Sequence, residues 1–151
     1  MNSAAARHLA QANIAYLRAQ KDDPLLADYM AELDRINRLA DASPGFVWRH
    51  FSDTRDPAQR EFADVLVLWN MSVWESVEAL HAYTYRSGHA AMYAQRKKWF
   101  TDVTVRTGLP SFALWWIEAG RLPTVEEGKA KLRLLGERGP TAEAFTFKRP
   151  F

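Results

Sequence analysis

Two stretches of this sequence are apolar on both faces of an extended chain. In Asp64–Met71, Val65, Val67, Trp69 and Met71 alternate with Leu66, Leu68 and Asn70. In Ser111–Glu118, Ala113, Trp115 and Ile117 alternate with Phe112, Leu114 and Trp116. A strand that is dry on both faces needs a layer of protein against each side. The chain must therefore build a sheet with cover above and below, and 151 residues suffice for one domain with a real core, taken as 1–151.

The remaining elements fall around these two strands. His8–Leu17 alternates, with Ala10, Ala12, Ile14 and Tyr16 on one face and Leu9, Gln11, Asn13, Ala15 and Leu17 on the other. Gln11 and Asn13 mark either a partly wet strand or amides facing a polar pocket. Asp23 and Pro24 open a helix as N-cap and first residue. Leu26, Tyr29, Met30, Leu33, Ile36 and Leu39 give that helix one stripe, and Ser43-Pro44-Gly45 stops it. Phe46–Phe51 reads as a strand with Phe46, Trp48 and His50 on one face, followed by a polar turn over Ser52–Arg60. Ser72 and Glu75 fit a capping box, so a helix is read over Val73–Thr84 with Trp74, Val77 and His81 on one stripe. Tyr85-Arg86-Ser87-Gly88 interrupts it, and a second helix runs to about Asp102, with His89, Met92, Tyr93, Arg96 and Phe100 on one face. Thr124 and Glu127 suggest a further capped helix, whose thin stripe makes it peripheral, and Ala144–Phe147 a short edge strand.

The order β-α-β-β-α-β specifies an α+β protein, a ferredoxin-like split βαβ sheet with helices on one face. The other face would be bare in a monomer, and a patch that large is rarely left in water. The expectation is a homodimer joined through its sheet faces.

Composition removes several classes of function. There is no cysteine, hence no disulfide, thiolate metal site or thiol nucleophile. The net charge is +2 and the longest basic run, Arg96-Lys97-Lys98, reads as a solvated face, so no nucleic-acid partner is expected. No apolar run is long enough to span a bilayer, and no apolar leader follows Met1, so no membrane is expected and a cytoplasmic protein is the default. No Ser-His-Asp pattern, phosphate loop or metal-ligand spacing is present, and no metal is expected. Six Trp and 13% aromatic residues suggest an aromatic-lined pocket, a large interface, or both.

The candidate chemistry lies between Asn70 and His89. Asn70 and Trp74 flank the junction of strand and helix, and their amide and indole N–H groups are donors. His89 follows Ser87-Gly88 at a helix start, where a neutral ring is favoured; general base, ligand and satisfied core histidine all stay open. Asn13, Trp48, His50, His81, Tyr93, Arg96 and Trp116 are the candidate lining of a small-molecule pocket, with Arg96 able to steady an anionic substrate.

The element order and the pair Asn70-x-x-x-Trp74 with His89 beyond it resemble the dimeric α/β-barrel superfamily, which includes antibiotic-biosynthesis monooxygenases. The strings L-A-Q-A-N-I-A-Y-L-R (9–18), L-A-D-A-S-P-G-F-V-W-R (39–49), N-M-S-V-W-E-S-V-E-A-L (70–80) and A-L-W-W-I-E-A-G (113–120) resemble a bacterial family of unknown function within it, DUF3291. The monooxygenase resemblance implies cofactor-free oxygenation of an aromatic or polyketide-like substrate. Asn70 and Trp74 would hold the developing oxyanion and His89 would move the proton. That branch's tyrosine shortly after the Trp is replaced by Leu80, leaving Tyr83, Tyr85 or Tyr93 for a relay. A second branch implies a heme protein in which Asn13, Trp74 and His89 form the site and His89 ligates iron. A third reading is a dimeric binding protein without catalysis.

Overall fold

The computed structural model describes residues 6–51, 56–86, 91 and 94–151. The candidates His89 and Tyr93 lie outside the described residues, as does the core of the turn after β2. Among the described residues five strands and four helices are named in order: β1 (Arg7–Leu17), α1 (Ala27–Asp41), β2 (Phe46–Arg49), β3 (Val67–Trp74), α2 (Val77–Arg86), β4 (Phe100–Thr101), α3 (Val103–Thr107), β5 (Phe112–Glu118) and α4 (Val125–Arg138). All ladders are antiparallel. β1 lies between β3 and β5, with β2 outside β3, and β4 takes the last two positions of β1. That is the strand order the β-α-β-β-α-β reading requires.

The register sorts the side chains into two faces. On one, Leu9, Gln11 and Asn13 of β1 stand beside Trp74, Ser72 and Asn70 of β3 and Trp116, Leu114 and Phe112 of β5. Ala40 of α1 and Leu80 of α2 close over this face, together with Phe145 from the C-terminal segment. On the other, Ala10 and Ala12 are flanked by Met71, Val73, Trp115 and Ile117, all buried. Small residues in the central strand leave room for the rings of Trp48, Trp69 and Trp115, which complete that layer. α4 covers it, Leu132 and Leu135 packing with Ile14 and Ala113.

This corrects the expectation of helices on one face and a bare face opposite. The chain covers both faces itself, so the argument for a homodimer through the sheet faces is removed. α4 is correspondingly not peripheral. Its stripe looked thin because one contact residue is Gly128, where an added Cβ would stand 2.7 Å from two ring atoms of Trp69. Closeness of approach, not apolar bulk, seats the helix.

Three local expectations are also corrected. β3 runs to Trp74, so Ser72 is a strand residue and not a cap; eight ladder positions with β1 outweigh the local capping signal. The cap of α2 is Ser76, whose hydroxyl accepts from the Ala79 N–H at 3.1 Å. The helix read through to Asp102 gives way to a 3-10 turn at Arg96–Lys98 and to β4; Asp102 instead caps α3, accepting from the N–H groups of Thr104 and Val105. In β2 a bulge falls between Phe46 and Trp48. It sends Phe46 to Trp74 on the α1/α2 face and Trp48 to the α4 face, where the unbroken alternation had put both together.

Asp23 caps the turn that opens α1, accepting from Leu25 N–H at 2.9 Å. Gly45 after α1 has φ of 82°, a left-handed turn that glycine adopts without strain. The C-terminal edge strand is a single bridge, Phe145 exchanging two 2.8 Å hydrogen bonds with Leu114.

Candidate functional site

β1 and β3 together build one polar island in an otherwise apolar sheet. Period-two alternation places Gln11 and Asn13 on the same face as Asn70, Ser72 and Trp74. The Gln11 amide N–H donates to Asn70 Oδ1 and to Ser72 Oγ, both at 2.7 Å. Asn13 Nδ2 donates to Gln11 Oε1 at 2.9 Å and to Asn70 Oδ1 at 3.2 Å. The Trp74 indole N–H donates to Ser72 Oγ at 2.9 Å. Gln11 and Ser72 are buried, Asn13 is half-buried and Asn70 is exposed. A buried amide needs partners, and here each amide supplies the other's.

The network fixes which way the amides face. Asn70 presents its oxygen to two donors, so its Nδ2 group is turned toward the open side of the island. No donor bond from Asn70 Nδ2 is made to a described residue. The indole N–H of Trp74 is committed to Ser72, and its ring is buried at 1% exposure between Phe46 and Tyr83, stacked on the latter at 5.2 Å. Trp74 anchors the floor and presents no donor to a ligand; Asn70 does.

One wall of the island is aromatic. Phe112 stands opposite Asn13. Phe147 packs against Phe112 at 5.6 Å, and His81 and Tyr85 of α2 pack against Phe147 at 5.2 and 5.9 Å. Of the tyrosines weighed for a proton relay, Tyr83 has its hydroxyl pKa pushed up to about 12 by burial and donates to the Ile36 carbonyl. It keeps its proton across the neutral range.

The structure thus brings together Asn13, Asn70 and Trp74, with His81 further out on the aromatic wall, against Phe147. Trp116 shares the face at its far end, its N–H given to the Phe151 carbonyl at 2.7 Å and the Arg7 guanidinium 3.9 Å above its ring. Arg96 stands exposed in the 3-10 turn. Trp48 and His50 belong to the opposite face, the bulge having moved them. Gln11 was read as a pocket-facing or partly wet amide and given no role in the site, and Ser72 was read as a helix cap. Cross-strand parity was the signal for both: the same alternation that pairs Asn70 with Trp74 includes Ser72. Among the described residues no group of His, Asp and Glu is gathered as a metal site.

The fold and this island define an α+β protein with a neutral, hydrogen-bonding site and an aromatic wall on the side of its sheet that α1 and α2 cover. The chain belongs to the family described as a domain of unknown function, DUF3291, whose model matches residues 8–151. No curated protein matches it. Two crystal structures are similar. PA3566 from Pseudomonas aeruginosa is 10% identical with a TM-score of 0.48, over 80% of this chain and 100% of that one. NE2512, a protein of unknown function from Nitrosomonas europaea, is 15% identical with a TM-score of 0.48, over 80% and 99%. No helix among the described residues is long and apolar enough to cross a membrane.

Proposed function

We propose that the protein is a small-molecule enzyme of the cofactor-free oxygenase type, acting on an aromatic or polyketide-like substrate at the amide island. One observation carries the reading. Gln11 and Asn13 hold the Asn70 oxygen, which turns the Asn70 N–H groups outward as preorganised donors beside an aromatic wall. Such donors stabilise negative charge as it develops on a carbonyl or phenol oxygen. The substrate loses a proton to give an enolate or phenolate with carbanion character. That carbon adds O2, the peroxide is protonated, and loss of water leaves a new carbonyl: a CH2 and one O2 become C=O and H2O. Among the described residues His81, on the aromatic wall, is the group suited to take the first proton.

Oxygen uptake with a panel of phenols and anthrone-like ketones tests this. Asn70→Ala should lower turnover about a hundred-fold, as loss of an oxyanion donor does. An unchanged rate removes Asn70 from the chemistry. A second reading, a binding protein without catalysis, is favoured by the absence of any titratable group among the five residues of the island. Saturable binding of a phenol with no oxygen uptake by any member of the panel would select it.

A further inference from the structure

The Gln11 amide docks on the cross-strand pair Asn13 and Asn70 through both of its ends. Its Nε2 donates to Asn70 Oδ1 at 2.7 Å, and its Oε1 accepts from Asn13 Nδ2 at 2.9 Å. Asn13 Nδ2 also donates to Asn70 Oδ1 at 3.2 Å, so both of its N–H groups are committed and the Asn70 oxygen accepts twice. The other ends of the same two side chains, Asn13 Oδ1 and Asn70 Nδ2, bond to no described residue. Both are open to solvent. Asn70 is exposed, and Asn13 Oδ1 is not among the buried atoms without a partner, which are His8 Nδ1, His50 Nε2, Trp69 Nε1 and Thr101 Oγ1.

The accessible edge of the island therefore offers one donor and one acceptor, from residues that face each other on neighbouring strands. Its complement carries a donor and an acceptor on one carbonyl carbon, which is how Gln11 itself fills the inner edge. An open-chain secondary amide is trans and turns its N–H and C=O to opposite sides. A ring amide is held cis and turns both to one side. The island residues Gln11, Asn13, Asn70, Ser72 and Trp74 carry no charge, so nothing in the island selects an ion. Phe112 stands opposite Asn13 on β5, with Phe147 5.6 Å from it, and such a wall favours a flat aromatic frame.

We infer that the amide island selects a planar aromatic lactam, whose carbonyl oxygen accepts from Asn70 Nδ2 while its ring N–H donates to Asn13 Oδ1. Gln11 is the positioning residue for both contacts. The inference rests on the island being the ligand site, as the oxygenase reading does, and not on the oxygen chemistry. The side-chain amide ¹H–¹⁵N resonances of Asn70 in the full chain report binding without turnover. Three probes of one shape are titrated: 2-quinolone; coumarin, in which a ring oxygen replaces the N–H; and protonated 2-aminoquinoline, in which a second donor replaces the carbonyl. 2-Quinolone should shift Asn70 saturably and bind about tenfold more tightly than either of the others, the worth of one hydrogen bond. Gln11→Glu should reverse the choice. A carboxylate only accepts, so Asn70 turns its Nδ2 inward and presents its oxygen. Both outward atoms are then acceptors, and preference should pass to protonated 2-aminoquinoline with the backbone spectrum retained. Equal affinity of the native chain for 2-quinolone and coumarin, or no saturable Asn70 shift with 2-quinolone, overturns the inference. So does a Gln11→Glu chain that keeps both its backbone spectrum and the preference for 2-quinolone. Lactam binding with no oxygen uptake by any compound removes the oxygenase reading alone, and oxygen uptake with phenols but no lactam binding removes this inference alone.

Discussion

Ser72 accepts hydrogen bonds from Gln11 and Trp74 at 2.7 and 2.9 Å in a buried position. Ser72→Ala deletes the acceptor and leaves both donors short of a partner, which should cost about 1–3 kcal/mol in urea unfolding. Asn70→Ala removes the acceptor shared by Gln11 and Asn13 and should cost about 1 kcal/mol, so turnover is compared at a temperature where both proteins are folded. Glu127 gives a pH-dependent case. A bidentate bond from Arg121, aided by the Trp115 N–H, holds its carboxyl below the usual carboxylate range, against burial. A depressed carboxylate stabilises the fold above its unfolded pKa of about 4.3 and loses that contribution as pH falls through the folded value. The stability gap between the native chain and Glu127→Gln should be about 1 kcal/mol and flat from pH 6 to 8, then close in acid. Of the island, Gln11, Asn13 and Asn70 were legible because polar residues at alternate positions of an apolar strand stand out. Ser72 and Trp74 were misplaced because S-x-x-E is a short-range pattern, whereas the ladder that overrode it depends on residues some 60 positions distant in sequence.

Among the elements, α1 and β5 were read closely, since a capped stripe and a two-faced apolar run are both local signals. α4 was underestimated. A glycine contact contributes nothing to a count of apolar residues, yet Gly128 sets how near the helix lies to Trp69 and Met71. Gly128→Ala places a methyl 2.7 Å from rigid, packed ring atoms. Overpacking of this kind costs about 1–3 kcal/mol, and the better helix propensity of alanine returns about 1. The net cost of up to about 2 kcal/mol corresponds to a fall of up to roughly 8 °C in Tm by calorimetry. The two-residue β4 was not legible, because its identity comes from pairing with Tyr16 and Leu17.

For the molecule as a whole, β1 carries the ladders to both β3 and β5, so the first strand of the chain is completed by segments nearly a hundred residues later. The C-terminal segment then seals the outer edge through Phe145 and the Trp116–Phe151 contact. Removing residues 140–151 strips Leu114 of its cover and Trp116 of its acceptor. The shortened chain should bind a hydrophobic dye that the full chain does not, and its Tm should drop by several degrees, since burying even one large apolar side chain is worth about 1.5–3 kcal/mol. Strand order was readable from the alternation of patterns. Which layer covers which face was not, because that depends on where α4 and the last residues return after the sheet is built.

The bulge at Val47 has a consequence at the level of the gene. Because one residue of β2 is spare in the register, an in-frame loss of codon 47 straightens the strand and leaves Phe46 on its side and Trp48 and His50 on theirs. Loss of codon 48 removes Trp48 itself, and loss of codon 49 moves Trp48 to the register position of Arg49, on the other face. Length variation among descendants of this sequence should therefore be tolerated at that codon and purged at the next two.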